Sequence, residues 1–209
     1  MKYDKKISDM ISRLRSMGIV DENVLRAMVK TPRHKFVLKG LEHQAYDEKA
    51  LPIGYGQTIS HPYTVALMTQ TLQIKKDNKI LEIGTGSGYQ AAVLAEMGAQ
   101  VYTIEKVKQL GVQSRQKLEA LKYHIISRIG DGSMGWMNYA PYDSIIITAG
   151  APLTPEILIN QLKDDGKLLI PIGNKEEQVL TLYLKSKDMV KTIVIEKLKF
   201  VPLLGKEGW

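Results

Sequence analysis

From residue 79 onward, short continuous apolar runs alternate with helical stretches, and this rhythm narrows the folds open to the chain. Strand-like runs cover 79–83, 101–105, 125–129, 142–148 and 167–172, with helical patterns over 89–97, 107–121 and 155–162 between them. Strands that are apolar at nearly every position must be covered on both faces, which predicts a parallel sheet between two helical layers. The ending breaks the rhythm. Runs over 179–184 and 192–201, joined by polar Lys185-Ser186-Lys187-Asp188, predict an antiparallel hairpin on the edge of that sheet.

Ahead of this core lies a different region. Ile7, Met10, Ile11 and Leu14 recur at helical spacing before Gly18, and Asp21 caps a second pattern carrying Val24, Leu25 and Met28 that Pro32 ends. The glycine- and proline-containing stretch 40–56 shows no strong period and is expected to be an irregular surface segment. Pro62 suits the first turn of a third helix over 63–72, with Val65, Met68 and Leu72 on one face. With 209 residues the simplest organisation is one domain, 1–74 forming a helical extension and 75–209 the sheet core.

Composition removes several chemistries. Without cysteine there is no disulfide, thiolate metal site or cysteine nucleophile, and His34, His43, His61 and His124 lack paired metal-ligand spacing, so no metal is expected. A net charge of +7 raises the question of nucleic acid, but the basic residues are scattered and interleaved with acids, as in Lys175-Glu176-Glu177. A solvated basic surface is the ordinary reading, so no nucleic-acid partner is expected. No apolar stretch approaches the roughly 18 residues of a membrane span, and the first ten residues have no signal-peptide core. A cytoplasmic protein is expected.

The first strand runs through Ile80-Leu81-Glu82-Ile83 into Gly84-Thr85-Gly86-Ser87-Gly88 and a helix. A strand, glycine turn and helix lets a ligand approach bare backbone at the carboxyl end of the sheet. The spacing is G-x-G-x-G, and Tyr89 stands where a dinucleotide fingerprint needs its third glycine. That weakens a nicotinamide reading. A cationic sulfonium ligand would instead gain from carboxylates. Glu82 is placed to hold the ligand's methionine amino group, directly or through water, unless it is only a solvated strand residue. Glu105 ends the second strand, 21 residues after Gly84, the offset at which an acid meets ribose hydroxyls. Asp131, in Gly130-Asp131-Gly132, could accept from the adenine amino group while Gly132 leaves room for the ring, although Asp-Gly is also a common turn. Three acids at three successive strand ends make a coherent nucleoside site.

Two sets of residues together resemble the protein-L-isoaspartate O-methyltransferases. One is the run from Ala45-Tyr46-Asp47 through Leu51-Pro52-Ile53-Gly54 to Gly56-Gln57-Thr58-Ile59-Ser60-His61-Pro62. The other is Glu82 to Ala92 with Gly130-Asp131-Gly132 and Ala140-Pro141-Tyr142-Asp143. The likeness covers roughly residues 32–205. It implies a Rossmann-like α/β methyltransferase fold with S-adenosylmethionine as cofactor and S-adenosylhomocysteine as product. Cofactor contacts then fall on Glu82, Gly84, Thr85, Gly86, Ser87, Gly88, Glu105, Asp131 and Gly132. The expected substrates are damaged proteins and peptides bearing L-isoaspartyl, and by extension D-aspartyl, residues. Ser60 lies near the reacting carboxylate, and Pro52, Ile53, Gly54, Thr58, Ser60 and Val201 face the substrate.

The chemistry asks little of an acid or base. A substrate carboxylate with a pKa of about 4 is already ionised at pH 7, leaving positioning and desolvation as the enzyme's tasks. Ser60 can donate to one carboxylate oxygen and leave the other free. Its competing reading is structural, because serine is a favoured helix cap and Ser60 lies just outside the cap position held by His61. His61 itself is expected to be exposed or locally bonded. An extended substrate could lie along Pro52-Ile53-Gly54 and a last strand near Lys199-Phe200-Val201-Pro202-Leu203, bonding main chain to main chain.

Two rivals remain. A nucleic-acid methyltransferase usually carries Asn/Asp-Pro-Pro-aromatic after the fourth strand, where this chain reads Thr148-Ala149-Gly150-Ala151-Pro152. A noncatalytic S-adenosylmethionine-binding protein would keep the glycine turn but have no use for the hydroxyl in the 51–60 loop. Against the resembling family, Gly150 replaces a common alanine, Asp164-Asp165-Gly166 replaces a shorter glycine turn, and Leu204 stands where some members are polar. Residues 206–209 are expected to be loosely held.

Overall fold

A computed structural model describes residues 3–187 and 189–209. The parallel core forms as its sequence predicts. Strands β3 (Lys79–Ile83), β4 (Gln100–Glu105), β5 (Ile126–Ile129), β6 (Tyr142–Ile147) and β7 (Leu162–Gly173) run parallel in the order β5-β4-β3-β6-β7. The antiparallel strands β8 (Gln178–Ser186) and β9 (Met189–Leu198) extend that sheet to seven strands. Asp188, in the polar turn of that hairpin, lies outside the described residues.

The β3 strand pairs with β4 on one side and β6 on the other, so crossovers leave it in both directions. The crevice opened there, beyond the strands' carboxyl ends, is where an open α/β sheet binds ligands. Period-two alternation sorts the strand residues. Ile80, Val101, Ile146 and Leu169 pack with Met68 and Leu72 of α3 (Pro62–Leu72) and Ala91 and Leu94 of α4 (Tyr89–Glu96). Leu81, Ile83, Ile104, Ile145 and Ile147 face the other way, onto Leu158 of the short α6 (Glu156–Asn160), Trp136 and Leu203.

The extension packs as two amphipathic helices, α1 (Asp4–Ser16) burying Met10 and Leu14, and α2 (Glu22–Lys30) burying Val24, Leu25 and Met28. The Asp21 carboxylate accepts from the backbone amides of Asn23 at 2.8 Å and Val24 at 3.4 Å, fixing the start of α2.

Four expectations need correction. The stretch 40–56 is not simply irregular surface, because Ala45 and Tyr46 are buried and β1 (Leu51–Gly54) pairs antiparallel with β2 (Gln57–Ile59). Leu51, Ile53 and Ile59 point inward while Pro52 and Thr58 point out, an alternation too short to stand out in sequence. The Tyr55-Gly56 turn has positive φ at both residues, which favours tight reversal in a hairpin. Second, β9 ends at Leu198, before Phe200 and Val201, and the chain leaves the sheet to meet the end of β6, forming a bridge between Pro202 and Gly150.

Third, α6 stops at Asn160 and β7 starts at Leu162, with Asp164-Asp165-Gly166 inside its span. Leu162 pairs with Tyr142 and pairing resumes at Lys167 with Ser144, so the additional residues are taken up as an irregularity, with Asp165 at φ 62°. Fourth, the tail is anchored. The amides of Lys206 and Glu207 donate to Asp131 Oδ2 and Ser133 Oγ, and the Trp209 indole donates to the Gly150 carbonyl. Gly150 suits this join, since a Cβ there would lie 2.9 Å from the Gln178 side chain.

Candidate functional site

One cleft brings together the segment after β2, the glycine turn after β3, the end of β4 and the chain leaving β9. Ser60 and Thr58 line one side, and Gly84, Thr85, Gly86 and Ser87 the other, with Glu105, Gly132 and Val201 closing it. Residues far apart in sequence thus meet at the switch point of the sheet.

The glycine turn is shaped by its neighbours. Gly84 has φ 99°, and a Cβ there would fall 2.5 Å from Thr148 Oγ1, whose hydroxyl is directed at the carbonyls of Gly84 (2.6 Å) and Ile83 (3.1 Å). Thr148 at the end of β6 therefore braces the turn from behind. Gly88 sits at the helix cap with φ 87° and stays out of the cleft, its bare face turned to the Leu118 side chain. Gly132 is bare because a Cβ would lie 2.6 Å from Ile83 Cγ2.

Each of the three strand-end acids meets different surroundings. Glu105 lines the cleft, and its two oxygens accept from the Gly86 amide at 2.7 Å and the Val107 amide at 2.8 Å. Each oxygen keeps a lone pair for a hydroxyl of a bound ligand. Asp131, next to Gly132, is not among the residues that line the cleft. Its Oδ1 accepts from the Ser133 amide and hydroxyl, and its Oδ2 from the Lys206 amide, with Lys106 Nζ at 3.4 Å. Partial burial pushes its carboxyl upward, but the bonds from Ser133 and Lys206 and the charge of Lys106 outweigh that and hold it below the usual range.

Glu82 lies elsewhere. It is fully buried beneath the turn on the α4 side and does not line the cleft, so neither a direct contact with a ligand nor a solvated strand position fits. The Thr85 and Thr103 hydroxyls are 2.7 Å apart, and Thr103 donates to Glu82 Oε2, linking the carboxyl to the glycine turn. Oε1 has no hydrogen-bond partner. Burial pushes the Glu82 carboxyl up to about 8, outweighing the Thr103 bond that favours its charge.

At the substrate side, His61 caps α3, its Nδ1 accepting from the Tyr63 amide at 3.0 Å. Burial pushes its imidazole below the ordinary histidine value. With His61 in the capping place, the Ser60 side chain is released from that work, and among the described residues its hydroxyl has no hydrogen-bond partner. Pro52, Ile53 and Gly54 do not reach the cleft: Pro52 faces solvent, Gly54 ends β1 opposite Gln57, and Ile53 is buried behind Gly86.

Tyr89, Gln90, Thr148 and Leu203 also line the cleft, although none is among the expected cofactor or substrate contacts. Tyr89 and Gln90 belong to the family-like run and Leu203 to the expected last strand, while Thr148 reads only as a strand end. Among the described residues, no cluster of histidine and acidic side chains suits a metal ion, and no helix is long and apolar enough to cross a membrane.

The cleft fits a nucleoside-bearing cationic ligand. The turn, packed on Thr148 and Ile53, brings the backbone of Gly84 and Gly86 to the cleft wall, and Glu105 offers acceptors in pairs, as vicinal hydroxyls require.

A sequence model of the family described as protein-L-isoaspartate(D-aspartate) O-methyltransferase matches residues 5–208. A protein-L-isoaspartate O-methyltransferase 1 of Pelobacter propionicus is 44% identical over the whole of both chains. One from Chlorobium phaeobacteroides is 48% identical over 96% of this chain and 94% of its own. Among solved structures, a protein-L-isoaspartate O-methyltransferase superposes with a TM-score of 0.87 at 26% identity, covering 97% of this chain and 67% of the other. A Plasmodium falciparum protein, described as a candidate member in complex with S-adenosyl-L-homocysteine, gives a TM-score of 0.81 at 25% identity over 94% and 97% of the two chains.

Proposed function

We propose the following division of labour for a chain that belongs to the protein-L-isoaspartate (D-aspartate) O-methyltransferase family. The protein is an S-adenosylmethionine-dependent enzyme that methylates the free carboxylate of L-isoaspartyl residues, releasing S-adenosylhomocysteine. Bound S-adenosylmethionine supplies a methyl group on a cationic sulfur. A substrate carboxylate oxygen forms the new bond to the methyl carbon, the sulfur keeps the electron pair of the broken bond, and no proton has to move.

The chain's own groups then have distinct tasks. Glu105 accepts from the ribose hydroxyls, and Gly84 to Ser87 bring bare backbone against the ligand. Asp131 and Gly132 take the adenine edge and face. Glu82 acts from below, through Thr103 and Thr85, by fixing the turn. Ser60 donates its free hydroxyl to one oxygen of the substrate carboxylate and leaves the other to attack, and Thr58 and Val201 flank the entering peptide. Such positioning can supply several of the roughly 7–11 kcal/mol available from proximity and alignment.

The observation that carries this reading is the unpartnered Ser60 hydroxyl sharing one cleft with Glu105 and the glycine turn. Damaged cellular proteins, D-aspartyl residues as secondary acceptors and a cytoplasmic setting complete the proposal. Matched peptides containing isoaspartate or aspartate, incubated with methyl-labelled cofactor, test it. Labelling of the isoaspartyl peptide is expected; equal labelling of both, or of neither, refutes it.

A further inference from the structure

Arg33 is fully buried, yet among the described residues it has no acidic partner. Its Nε donates to the Ala45 carbonyl at 2.7 Å and its Nη2 to the Ser60 carbonyl at 2.6 Å. The guanidinium lies over the Tyr89 ring, with Cζ 4.8 Å from the centroid, and Nη1 makes no hydrogen bond. Tyr89 begins α4 directly after the glycine turn and lines the cleft. One side chain therefore joins the entry to the hairpin, the backbone of Ser60 and the first residue after the cofactor turn.

A buried cation with no counterion is costly, and proteins ordinarily pair such a charge. Two carbonyls and the Tyr89 ring face, which attracts the cation itself, offset part of that cost. Among the described residues no acid neutralises the charge, so its positive potential reaches the cleft beside Ser60. The methyl acceptor is an anion that binds beside Ser60, and Arg33 is hydrogen-bonded to that same residue from behind.

We propose that Arg33 is a positioning residue for the methyl-accepting carboxylate, holding the Ser60 backbone in place and supplying the positive potential that draws the substrate anion to the Ser60 hydroxyl. The inference rests on the isoaspartyl reading. It adds a determinant of carboxylate over carboxamide that does not itself touch the substrate. Low-dielectric surroundings preserve the attraction, because a buried charge is screened much less than an exposed one.

The test compares binding of an isoaspartyl peptide with binding of the same peptide carrying a carboxamide in place of that carboxylate. It is run on the wild type, Arg33→Lys and Arg33→Met in the presence of S-adenosylhomocysteine. Wild type is expected to prefer the carboxylate. Arg33→Met is expected to lose about tenfold to fiftyfold of that preference, the size of one unit-charge attraction across roughly 7 Å at an effective dielectric constant of about 20. Arg33→Lys is expected to recover most of it, and because Arg33 packs on Tyr89 next to the cofactor turn, S-adenosylhomocysteine is kept saturating so that a change in its affinity does not enter the comparison of the two peptides. If Arg33→Met weakens both peptides alike, Arg33 is only an anchor for the hairpin and the proposal fails. Should Arg33→Met not fold, citrulline at position 33 keeps the shape and the donors to both carbonyls without the charge, and the same outcomes decide. Failure of the wild type to methylate the isoaspartyl peptide would instead refute the function on which the inference stands.

Discussion

Replacing Glu82 with glutamine tests whether the carboxyl beneath the glycine turn is held neutral by burial. The folded-state carboxyl is pushed from an ordinary 4.5 up to about 8, while the unfolded chain ionises near the ordinary value. Between those two pH values the folded protein holds one more proton than the unfolded, so this group's contribution to stability falls as pH rises. From pH 5 to pH 8 the change is about 3 kcal/mol, taking 1.36 kcal/mol per unit of displacement. Glutamine removes the titration. Its amide nitrogen at the place of the unpartnered Oε1 would cost about 1–3 kcal/mol, but equally at every pH. Urea unfolding of both proteins at pH 5 and pH 8 gives the answer as a difference of differences, in which groups common to both, such as His61, cancel. Wild type is expected to lose about 3 kcal/mol more than Glu82→Gln over this range. A double difference under about 1 kcal/mol would mean the carboxyl is ionised when folded, and the account of Glu82 as a neutral brace would be wrong.

Ser60→Ala is expected to slow methylation by about 10–1000-fold while cofactor affinity stays nearly constant, the scale of losing one aligned donor. Because His61 already caps α3, the thermal midpoint should barely move, and a large fall would return Ser60 to a structural role. Gly84→Ala is expected to cost about 1–3 kcal/mol in strain and to abolish cofactor binding by calorimetry, since its Cβ meets Thr148 Oγ1 at 2.5 Å in a left-handed backbone. Native stability and affinity would refute the close fit. Asp131→Ala removes the acceptor for the Lys206 amide, so tryptic cleavage after Lys206 is expected to quicken about fivefold, the equivalent of one net hydrogen bond. Unchanged cleavage would show that Trp209 and Glu207 hold the tail unaided.

The two periodicities made most of the architecture legible. Apolar runs such as Ile80-Leu81 and Ile145-Ile146-Ile147 are strands because nothing polar would face either helical layer, and the glycine turn followed from its position after the first of them. The same local grammar could not see β1 and β2, whose few residues alternate too briefly, nor the departure of the chain from the sheet after Leu198. It also placed three acids at three strand ends without telling them apart. Glu105 lines the cleft, Asp131 holds the tail, and Glu82 is sealed under α4. Glu82 and Glu105 share one face of the sheet, so it is the distance from the strand end and the packing of the next helix that decide what each carboxylate meets and how much water reaches it.

Sequence by itself therefore determined the sheet, the ligand-binding turn and the family, because each is written in residues close together along the chain. Pro62 at the first helical position already put His61 at the cap of α3, and the structure added that its Nδ1 takes the Tyr63 amide, leaving the serine hydroxyl free. The tertiary structure alone set Arg33 behind that serine, from 27 residues away. Burial and unsatisfied hydrogen bonds arise from contacts between distant segments, and no local pattern encodes them.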